Sequence, residues 1–289
     1  MEDKRQALAI LFNQGWPLNV QARKDRMDLW SAGISAYGDS WTYVTPEDTQ
    51  WGDYSIAWGI RGTNVCQTRA LRHVVMECGF LGNRLQNYYV GFAGLNGMGK
   101  PICPAIPGRG APWYPQLAPP RTGRRDHYNV VLLGQVARDT SLMALSSDDE
   151  KRPAAYKQWL AGVAKLCKKQ GMTVAFRGHP LEPSWSGFVK PEGVLDADAE
   201  GWTKEYLWRW ADLAIAFSSN SLVEAFMAGV DVLPGHPGSL TWRVRSGLNR
   251  PRRFTQGQRK AWLDSVASCQ WSVDEIKSGE VWGIIREND

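Results

Sequence analysis

The sequence has little cysteine, and its cysteines follow no pattern. The chain has 289 residues and only 5 Cys, none of them in a CxxC pair. A structural zinc site or a disulfide framework needs closely spaced or paired cysteines, which this chain does not have. An odd number of scattered thiols is typical of a reducing compartment. We therefore expect a cytoplasmic protein.

Long apolar runs are also missing. No window reaches the roughly 20 apolar residues that a transmembrane helix needs, so we expect no integral membrane association. The first residues, MEDKRQALAILFNQGW, lack the apolar region and cleavage site of a signal peptide. The chain contains neither a GxxxxGK[ST] loop nor a GxSxG elbow, which argues against a P-loop nucleotidase and an α/β-hydrolase.

Neither positive nor negative charge is in large excess. The chain carries 34 Lys and Arg against 29 Asp and Glu, a net charge of +5, which alone does not identify a nucleic-acid-binding protein. Positive residues are concentrated at 121–125 and 243–260, either as solvated surface or as a site for a phosphate-rich partner. Tryptophan is abundant, with 15 residues. These side chains fill cores, or some of them stack on sugars or bases.

Apolar runs and helical patterns alternate along the whole chain. Continuous apolar runs predict buried strands, and capped or amphipathic segments predict helices. Segments 97–125, rich in Pro and Gly, and 181–204 are expected to be irregular. Strands are expected at 7–12, 41–44, 54–60, 73–76, 88–92, 129–133, 173–176, 213–217 and 230–233. Helices are expected at 21–37, 65–72, 152–170, 205–210, 222–228, 257–268 and 273–282.

This alternation predicts an α/β protein with two Rossmann-like domains that face each other across a cleft. The first domain is expected at residues 1–120 and the second at 121–241. Residues 242–289 are expected to form a helical tail that packs back on the first domain. Gly15 stands at the first strand-to-helix turn, where a lone glycine is weak support for a nucleotide site.

The segment 211–238 is the strongest local signal of a binding site. It reads as a buried strand, the polar turn Ser218–Ser221, a helix and a second strand. Ser221 and Glu224 have the spacing of a capping box. A helix N-terminus flanked by hydroxyl groups suits a phosphate, so Ser218, Ser219, Asn220 and Ser221 are candidate phosphate ligands. Glu224 is either a capping residue or a ligand of a ribose hydroxyl.

Polar residues also follow two other predicted strands of the second domain. Gly134 and Gln135 follow the first strand, and Arg177 and His179 follow the next. Because the carboxyl ends of parallel strands share one edge of a sheet, we expect these residues to converge with Ser218–Ser221. Arg177 and His179 would meet a phosphate oxygen. The alternative for His179 is a structural turn residue.

The order and spacing of these motifs resemble a known family. The run Leu133-Gly-Gln-Val136, the pair His179-Pro180 and the Ser218…Ser221…Glu224 pattern are similar to glycosyltransferases of capsular polysaccharide synthesis. That family includes Kdo transferases and phage-encoded relatives. The resemblance implies a GT-B fold, a nucleotide-sugar substrate held by the second domain, no cofactor and no obligatory metal. The implied donor-binding residues are Gln135, His179, Ser218, Ser221 and Glu224, to which we add Gly134, Arg177, Ser219 and Asn220.

In such a fold the first domain binds the acceptor and supplies a general base. Glu77, at a strand end, is the candidate base, with His179 as the second catalytic candidate; Asp39 and Asp53 are weaker alternatives. Each could equally be structural. Asp196-Ala-Asp198 spells D-x-D but follows no predicted strand, so no metal site is expected there. The candidate acceptor ligands are Arg61, Arg84 and Asn96.

The sequence thus predicts a metal-independent glycosyltransferase that moves a sugar from a nucleotide donor to a hydroxyl group. The acceptor is a glycan or a hydroxymethylated DNA base, as in DNA modification by a bacteriophage, and the sequence leaves both open. The Arg-rich segment 243–260 slightly favours DNA. The alternative is a non-catalytic nucleotide- or nucleic-acid-binding protein on the same two-domain scaffold.

Overall fold

The computed structural model divides the chain into two compact units. One comprises Met1–Pro112 with Leu263–Asp289, and the other comprises Trp113–Trp262. The expected boundaries differ at two places, because 113–120 belongs to the second unit and the expected tail is shared between the units. The described residues are 6–12, 20–44, 49–59, 70–83, 86–94, 99–120, 128–180, 193–248, 252 and 254–288.

The strands and helices of the described residues are numbered in chain order. The strands are β1 (Leu8–Phe12), β2 (Ser40–Val44), β3 (Gly52–Trp58), β4 (Ala70–Cys78), β5 (Asn87–Phe92), β6 (Lys100–Pro101), β7 (Asn129–Leu133), β8 (Thr173–Arg177), β9 (Val194–Asp196), β10 (Leu213–Ala216), β11 (Asp231–Pro234) and β12 (Gln270–Ser272). The α-helices are α1 (Val20–Tyr37), α2 (Arg152–Lys169), α3 (Lys204–Trp210), α4 (Ser221–Met227), α5 (Gln256–Ala267), α6 (Val273–Lys277) and α7 (Glu280–Glu287).

The first unit is built on a mixed sheet with the strand order β12-β5-β4-β3-β1-β2, and β6 pairs with β5. Strands β1 to β4 run parallel, while β5, β6 and β12 pair antiparallel at one side. Three tryptophans, Trp30, Trp271 and Trp282, are fully buried in the core on one face of this sheet. Burying side chains of this size supplies much of the hydrophobic stabilisation.

One predicted helix of the first unit is wrong in part. The expected helix at 65–72 ends inside β4, since Gly52 pairs with Ala70 and Tyr54 with Arg72. Ala, Leu and Arg are good helix formers, and here pairing with β3 overrides that local preference. Residues 65–69 lie outside the described part of the chain. Lys100–Pro101 and a 3₁₀ helix at Ala111–Gln116 also give regular structure to a segment expected to have none.

The end of the chain packs on α1 of the first unit, as expected. A Cβ atom on Gly33 of α1 would lie 2.0 Å from the carbonyl oxygen of Ile276, so only glycine permits this approach. Gly279, which links α6 to α7, has a φ of +86°, and a Cβ atom on it would lie 2.7 Å from the Gly33 carbonyl oxygen. Two glycines therefore set the distance between α1 and the α6–α7 turn.

The second unit contains a parallel sheet with the strand order β11-β10-β7-β8-β9. The chain begins at β7, adds β8 and β9 on one side, and then crosses to β10 and β11 on the other. This is a doubly wound Rossmann-like order, and its switch point lies between β7 and β10. Strand β10, which was expected at 213–217, spans Leu213–Ala216 and is buried along its whole length. Strand β9 lies in a segment expected to be irregular.

Helix α2 covers one face of the second sheet. Its buried side chains Tyr156, Leu160, Ala164 and Cys167 recur at helical spacing and join the core with the strands. Among the helices of the described ranges, none combines the length and apolar character needed to cross a membrane.

Candidate functional site

The switch point of the second sheet is closed by hydrogen bonds between the ends of β7 and β10. The side chain of Gln135 accepts from the backbone N–H of Ser218 at 2.8 Å and donates to the Ser218 hydroxyl at 3.1 Å. Both residues are only 6% exposed. The buried amide is therefore satisfied on both of its polar atoms and holds the two strand ends in one geometry.

Ser141 belongs to the same network. The Gln135 amide also donates to the Ser141 hydroxyl at 3.2 Å, and Ser141 lies in a short 3₁₀ helix, Thr140–Leu142, that follows β7. The carboxylate of Asp139 caps this helix by accepting from the Ser141 N–H at 2.7 Å. Asp139 and Ser141 thus form one polar cluster around Gln135 with Ser218, which is distant from them in sequence.

The end of β8 lies beside the end of β7. The Gly134 N–H donates to the Arg177 carbonyl oxygen at 2.7 Å, and a Cβ atom on Gly134 would lie 3.1 Å from the backbone nitrogen of His179. A side chain at position 134 would crowd the turn that carries His179. The structure therefore brings Gly134, Gln135, His179 and Ser218 to one edge of the sheet, where ligands bind in doubly wound folds.

The charge of Arg177 is paired within the second unit. Its guanidinium binds the Asp198 carboxylate at 2.8 Å and also donates to the Trp202 carbonyl oxygen. The other Asp198 oxygen accepts from the N–H of Gly178 at 2.6 Å, next to His179. Asp196 accepts from the N–H groups of residues 198 and 199. The D-x-D aspartates therefore organise the β8 and β9 loops, a role that their spacing alone did not reveal.

The turn after β10 differs from its expected form. Helix α4 begins at Ser221, and its N-cap Asn220 makes no side-chain capping bond. The Ser219 hydroxyl accepts from the Ser221 N–H at 3.2 Å, while Glu224 forms an ion pair with Lys204 at 2.8 Å. The expected capping box of Ser221 and Glu224 is wrong. Glu224 is drawn to a lysine of α3 that lies far from it in sequence.

An aromatic cluster follows the ends of β10 and β11. Phe217 stacks on His236 with ring centres 5.2 Å apart, and Trp159 of α2 meets Phe217 edge to face at 5.3 Å. His236 accepts from the Gly238 N–H through Nδ1, which leaves Nε2 as the protonated nitrogen of the neutral ring. Partial burial lowers the pKa of His236. No sequence pattern connects Trp159 with this edge, because only the fold places α2 there.

In the first unit, Glu77 is the penultimate residue of β4. It is half-buried, and Oε1 accepts from the N–H of Cys78 at 2.9 Å. Its Oε2 would lie 3.4 Å from a Cβ on Gly59, which follows β3. Glu77 is thus at the carboxyl edge of the parallel strands, where it was expected.

The two weaker carboxylate candidates lie at the opposite edge of that sheet and have structural partners. Asp39 accepts from the Ala7 N–H and the Trp282 indole and pairs with Arg286, and Asp53 accepts from the Leu8 N–H. Neither shares an edge with Glu77. The candidate acceptor ligands Arg61, Arg84 and Asn96, and Gly15, lie outside the described residues.

Part of the Arg-rich segment is buried. Arg259 is 2% exposed, donates to the Phe226 carbonyl oxygen and lies over the Phe226 ring. Burial lowers its pKa to about 10, although Asp231 favours its charged form. Its expected role as a surface cation is therefore wrong. Arg243, Arg245 and Arg252 are exposed, and Arg245 packs on Trp242 at 4.1 Å.

The fold is similar to that of two solved structures from Thermosulfurimonas dismutans. KpsC described as a β-Kdo 2,7 transferase matches with a TM-score of 0.55 and 12% identity, covering 97% of this chain and 99% of that chain. KpsC described as a β-Kdo 2,4 transferase matches with a TM-score of 0.53 and 15% identity, covering 89% of each chain. No protein-family model and no curated protein matches the sequence.

These similarities extend over nearly the whole chain, so they concern both units. The chain therefore has the GT-B-like α/β fold that the alternation of strands and helices and the family resemblance predicted. Its relationship to the Kdo transferases of capsular polysaccharide synthesis is one of fold.

Proposed function

We propose that the protein is a glycosyltransferase that moves a sugar from a nucleotide-sugar donor to a hydroxyl group of an acceptor. The observation that carries the proposal is the polar cluster of Gln135, Ser141 and Ser218 at the switch point of a sheet whose fold matches Kdo transferases. Switch points are where doubly wound sheets bind nucleotides. The fold likeness supports a transferase over a simple binding protein.

In this proposal the donor phosphate lies at the carboxyl edge of the second sheet. Helix α4 has only seven residues, so side chains and turn N–H groups rather than a long helix dipole bind the phosphate. His179 and the Ser218–Ser221 turn stabilise the charge of the departing phosphate. Arg177, paired with Asp198, holds the turn that carries His179.

We assign the general base to Glu77. Its position at the carboxyl edge of the first sheet supports this role, as does its partial burial. A base accepts the proton of the acceptor hydroxyl group while the anomeric carbon is attacked, and the transition state resembles an oxocarbenium ion. Glu77→Gln keeps the shape and removes the basic oxygen. We expect it to abolish transfer and to leave donor binding intact, as measured by calorimetric titration.

A thermal shift assay with CMP-, UDP- and GDP-sugars tests the proposal directly. A ligand that binds only the folded state raises the melting temperature with its concentration. We expect one nucleotide class to stabilise the protein. If none of the three raises the melting temperature, even at concentrations about 100 times the dissociation constant that such a ligand would have, the transferase proposal is wrong.

His179→Ala locates the donor site. The variant should keep the melting temperature of the free protein and lose the nucleotide-induced shift. Arg209→Ala, an exposed change on α3, is the matched control and should keep the shift. Nucleotide binding that survives in His179→Ala would remove His179 from the site.

We propose that transfer needs no metal. The D-x-D aspartates support this, since Asp198 binds Arg177 and Asp196 accepts backbone N–H groups. Transfer should therefore continue in excess EDTA. A loss of activity in EDTA that Mg²⁺ or Mn²⁺ restores would contradict the proposal.

We propose a glycan as the acceptor, because both similar structures are described as sugar transferases. A hydroxymethylated DNA base is the second candidate, favoured by the exposed Arg243, Arg245 and Arg252. A DNA acceptor predicts duplex binding that weakens steeply with salt. Changing all three arginines to Ala would then weaken duplex binding. Duplex affinity that does not change with salt concentration would exclude the DNA acceptor.

A further inference from the structure

A second candidate site lies at the amino-terminal edge of the first sheet. A depression of about 480 Å³ opens there and is lined by residues at the starts of β1 to β4. This edge is opposite to the one that carries Glu77. The depression therefore belongs to no part of the site proposed for transfer.

The depression holds the two most exposed large apolar side chains of the described residues. Trp51 is 67% exposed and Leu71 is 86% exposed, and both line it. Scattered exposed apolar residues need no explanation, but two that share one concave surface indicate a binding site. The indole of Trp51 offers a flat apolar face and one N–H donor.

Polar groups stand beside this aromatic surface. Asp53 uses one carboxylate oxygen to accept from the Leu8 N–H at 3.0 Å, which leaves its other oxygen to accept from a ligand. Gln6 donates through its amide nitrogen to the Ser40 hydroxyl at 3.0 Å and to the Gly38 carbonyl oxygen at 3.1 Å. Its amide oxygen faces no donor among the described residues. The wall therefore offers acceptors, a hydroxyl group and an indole N–H.

The strands hold these groups in a fixed arrangement. Leu8 pairs with Ser40 in β2, and Gly52 pairs with Ala70 in β4. A Cβ atom on Gly52 would lie 2.4 Å from the Ile10 side chain, so glycine allows the strands to close tightly at this point. Strand pairing therefore fixes the backbone positions of Ser40, Asp53 and Leu71, and Trp51 directly precedes β3.

We propose that this depression binds a neutral oligosaccharide. The C–H face of a pyranose ring is apolar and packs on an indole, while its hydroxyl groups pair with carboxylate and amide oxygens. Asp53 disfavours an anionic sugar or a phosphate, because like charges repel at short range. The proposal does not depend on the transfer reaction, and it gives the first unit a place to hold a glycan away from Glu77.

The experiment measures the binding of cellohexaose, maltohexaose and chitohexaose by calorimetric titration, with no nucleotide present. The whole chain is used, with 5-fluorotryptophan incorporated for ¹⁹F NMR. We expect at least one of the three probes to bind and to shift the Trp51 resonance. Trp51→Ala should weaken binding by about tenfold or more, since removing a stacking ring costs roughly 1–3 kcal/mol.

Trp41→Ala is the matched control. Trp41 is also exposed on the first sheet, at 36%, but it donates to Ser35, meets Tyr43 edge to face and does not line the depression. This variant should bind the probe with less than about a twofold change. The proposal is overturned if none of the probes binds at about 5 mM, or if Trp51→Ala binds as tightly as the unchanged protein. Donor binding is measured separately, so either proposal can fail alone.

Discussion

His73 and Ser55 form a buried polar pair between two strands of the first sheet. The Ser55 hydroxyl and His73 Nδ1 are 2.7 Å apart, and His73 Nε2 has no hydrogen-bond partner among the described residues. Burial lowers the pKa of His73 to about 4. A charged imidazolium would be costly here, because no described group pairs with its second N–H.

This pair predicts a loss of stability in mild acid. The unfolded chain takes up a proton at His73 near pH 6.5, while the folded chain does so only near pH 4. Between these values the unfolded state binds more protons, so stability falls as pH falls, by up to roughly 3 kcal/mol from this residue. His73→Asn should flatten that part of the profile. Urea unfolding from pH 7 to 4 measures it, and an unchanged profile would show that His73 titrates normally.

Gln135 is expected to be essential for stability as well as for binding. Gln135→Met keeps the side-chain length but leaves the Ser218 N–H buried without its acceptor. We expect the free energy of unfolding to fall by about 1–3 kcal/mol, since an unsatisfied buried donor keeps its desolvation cost. Gln158→Met, an exposed change on α2, is the control and should have little effect. Equal stabilities of the two variants by urea titration would contradict the role assigned to Gln135.

At the scale of secondary-structure elements, two Ser-x-x-Glu patterns that lie at helix starts behave differently. Ser272 and Glu275 form a complete capping box at α6, with bonds of 3.2 Å and 2.7 Å. Ser221 and Glu224 have the same spacing and form none, since Lys204 engages Glu224. The Ser-x-x-Glu pattern shows that a capping box can form at a helix start, and tertiary partners decide whether it forms.

The contact of α1 with the α6–α7 turn gives a prediction on packing. Gly33→Ala would place a methyl group 2.0 Å from the Ile276 carbonyl oxygen and push the elements apart. We expect a loss of roughly 1–3 kcal/mol despite the better helix propensity of alanine.

Gly162→Ala is the matched control for Gly33→Ala, because a Cβ atom at Gly162 of α2 meets nothing within 4 Å. It should stabilise the protein by about 0.5–1 kcal/mol. Thermal or urea unfolding compares the two. Similar effects of both changes would mean that the α1 contact is looser than described.

At the scale of the whole molecule, the first unit depends on both ends of the chain. Trp271, Ile276 and Trp282 belong to its buried core, and β12 completes its sheet beside β5. The second unit keeps its sheet and core within Trp113–Trp262. Deleting 263–289 should therefore unfold the first unit and spare the second.

Limited proteolysis of the shortened chain should leave a resistant fragment close to 113–262, whereas the full chain should resist as a whole. The fragment 113–262 expressed alone should melt cooperatively. A shortened chain that protects its first 112 residues would contradict the division described here.

Most long elements could be predicted from the sequence. The expected strand at 129–133 coincides with β7, and the expected helices at 21–37 and 152–170 differ from α1 and α2 by one residue each. These segments carry long, consistent local patterns. Strands β6, β9 and β12 have two or three residues each, so partners distant in sequence define them.

The candidate site was predictable as a set of strand ends but not as a network. Parallel strand order places Gly134, His179 and Ser218 on one edge, which follows from alternation of strands and helices. The bonds of Gln135, the pairing of Arg177 with Asp198 and the aromatic cluster with Trp159 depend on side-chain packing. No local pattern in the sequence predicts such contacts between side chains.

The sequence by itself determined the α/β class, the long strands and helices, and the residues that follow each strand of the second unit, because hydrophobic periodicity and turn chemistry act over a few neighbours. Tertiary structure decided the rest. It divided the expected tail between the two units at residue 262, buried Arg259, assigned Asp198 to Arg177 and exposed Trp51 beside Asp53. Each of these depends on contacts between residues distant in sequence, whose energies no local pattern contains.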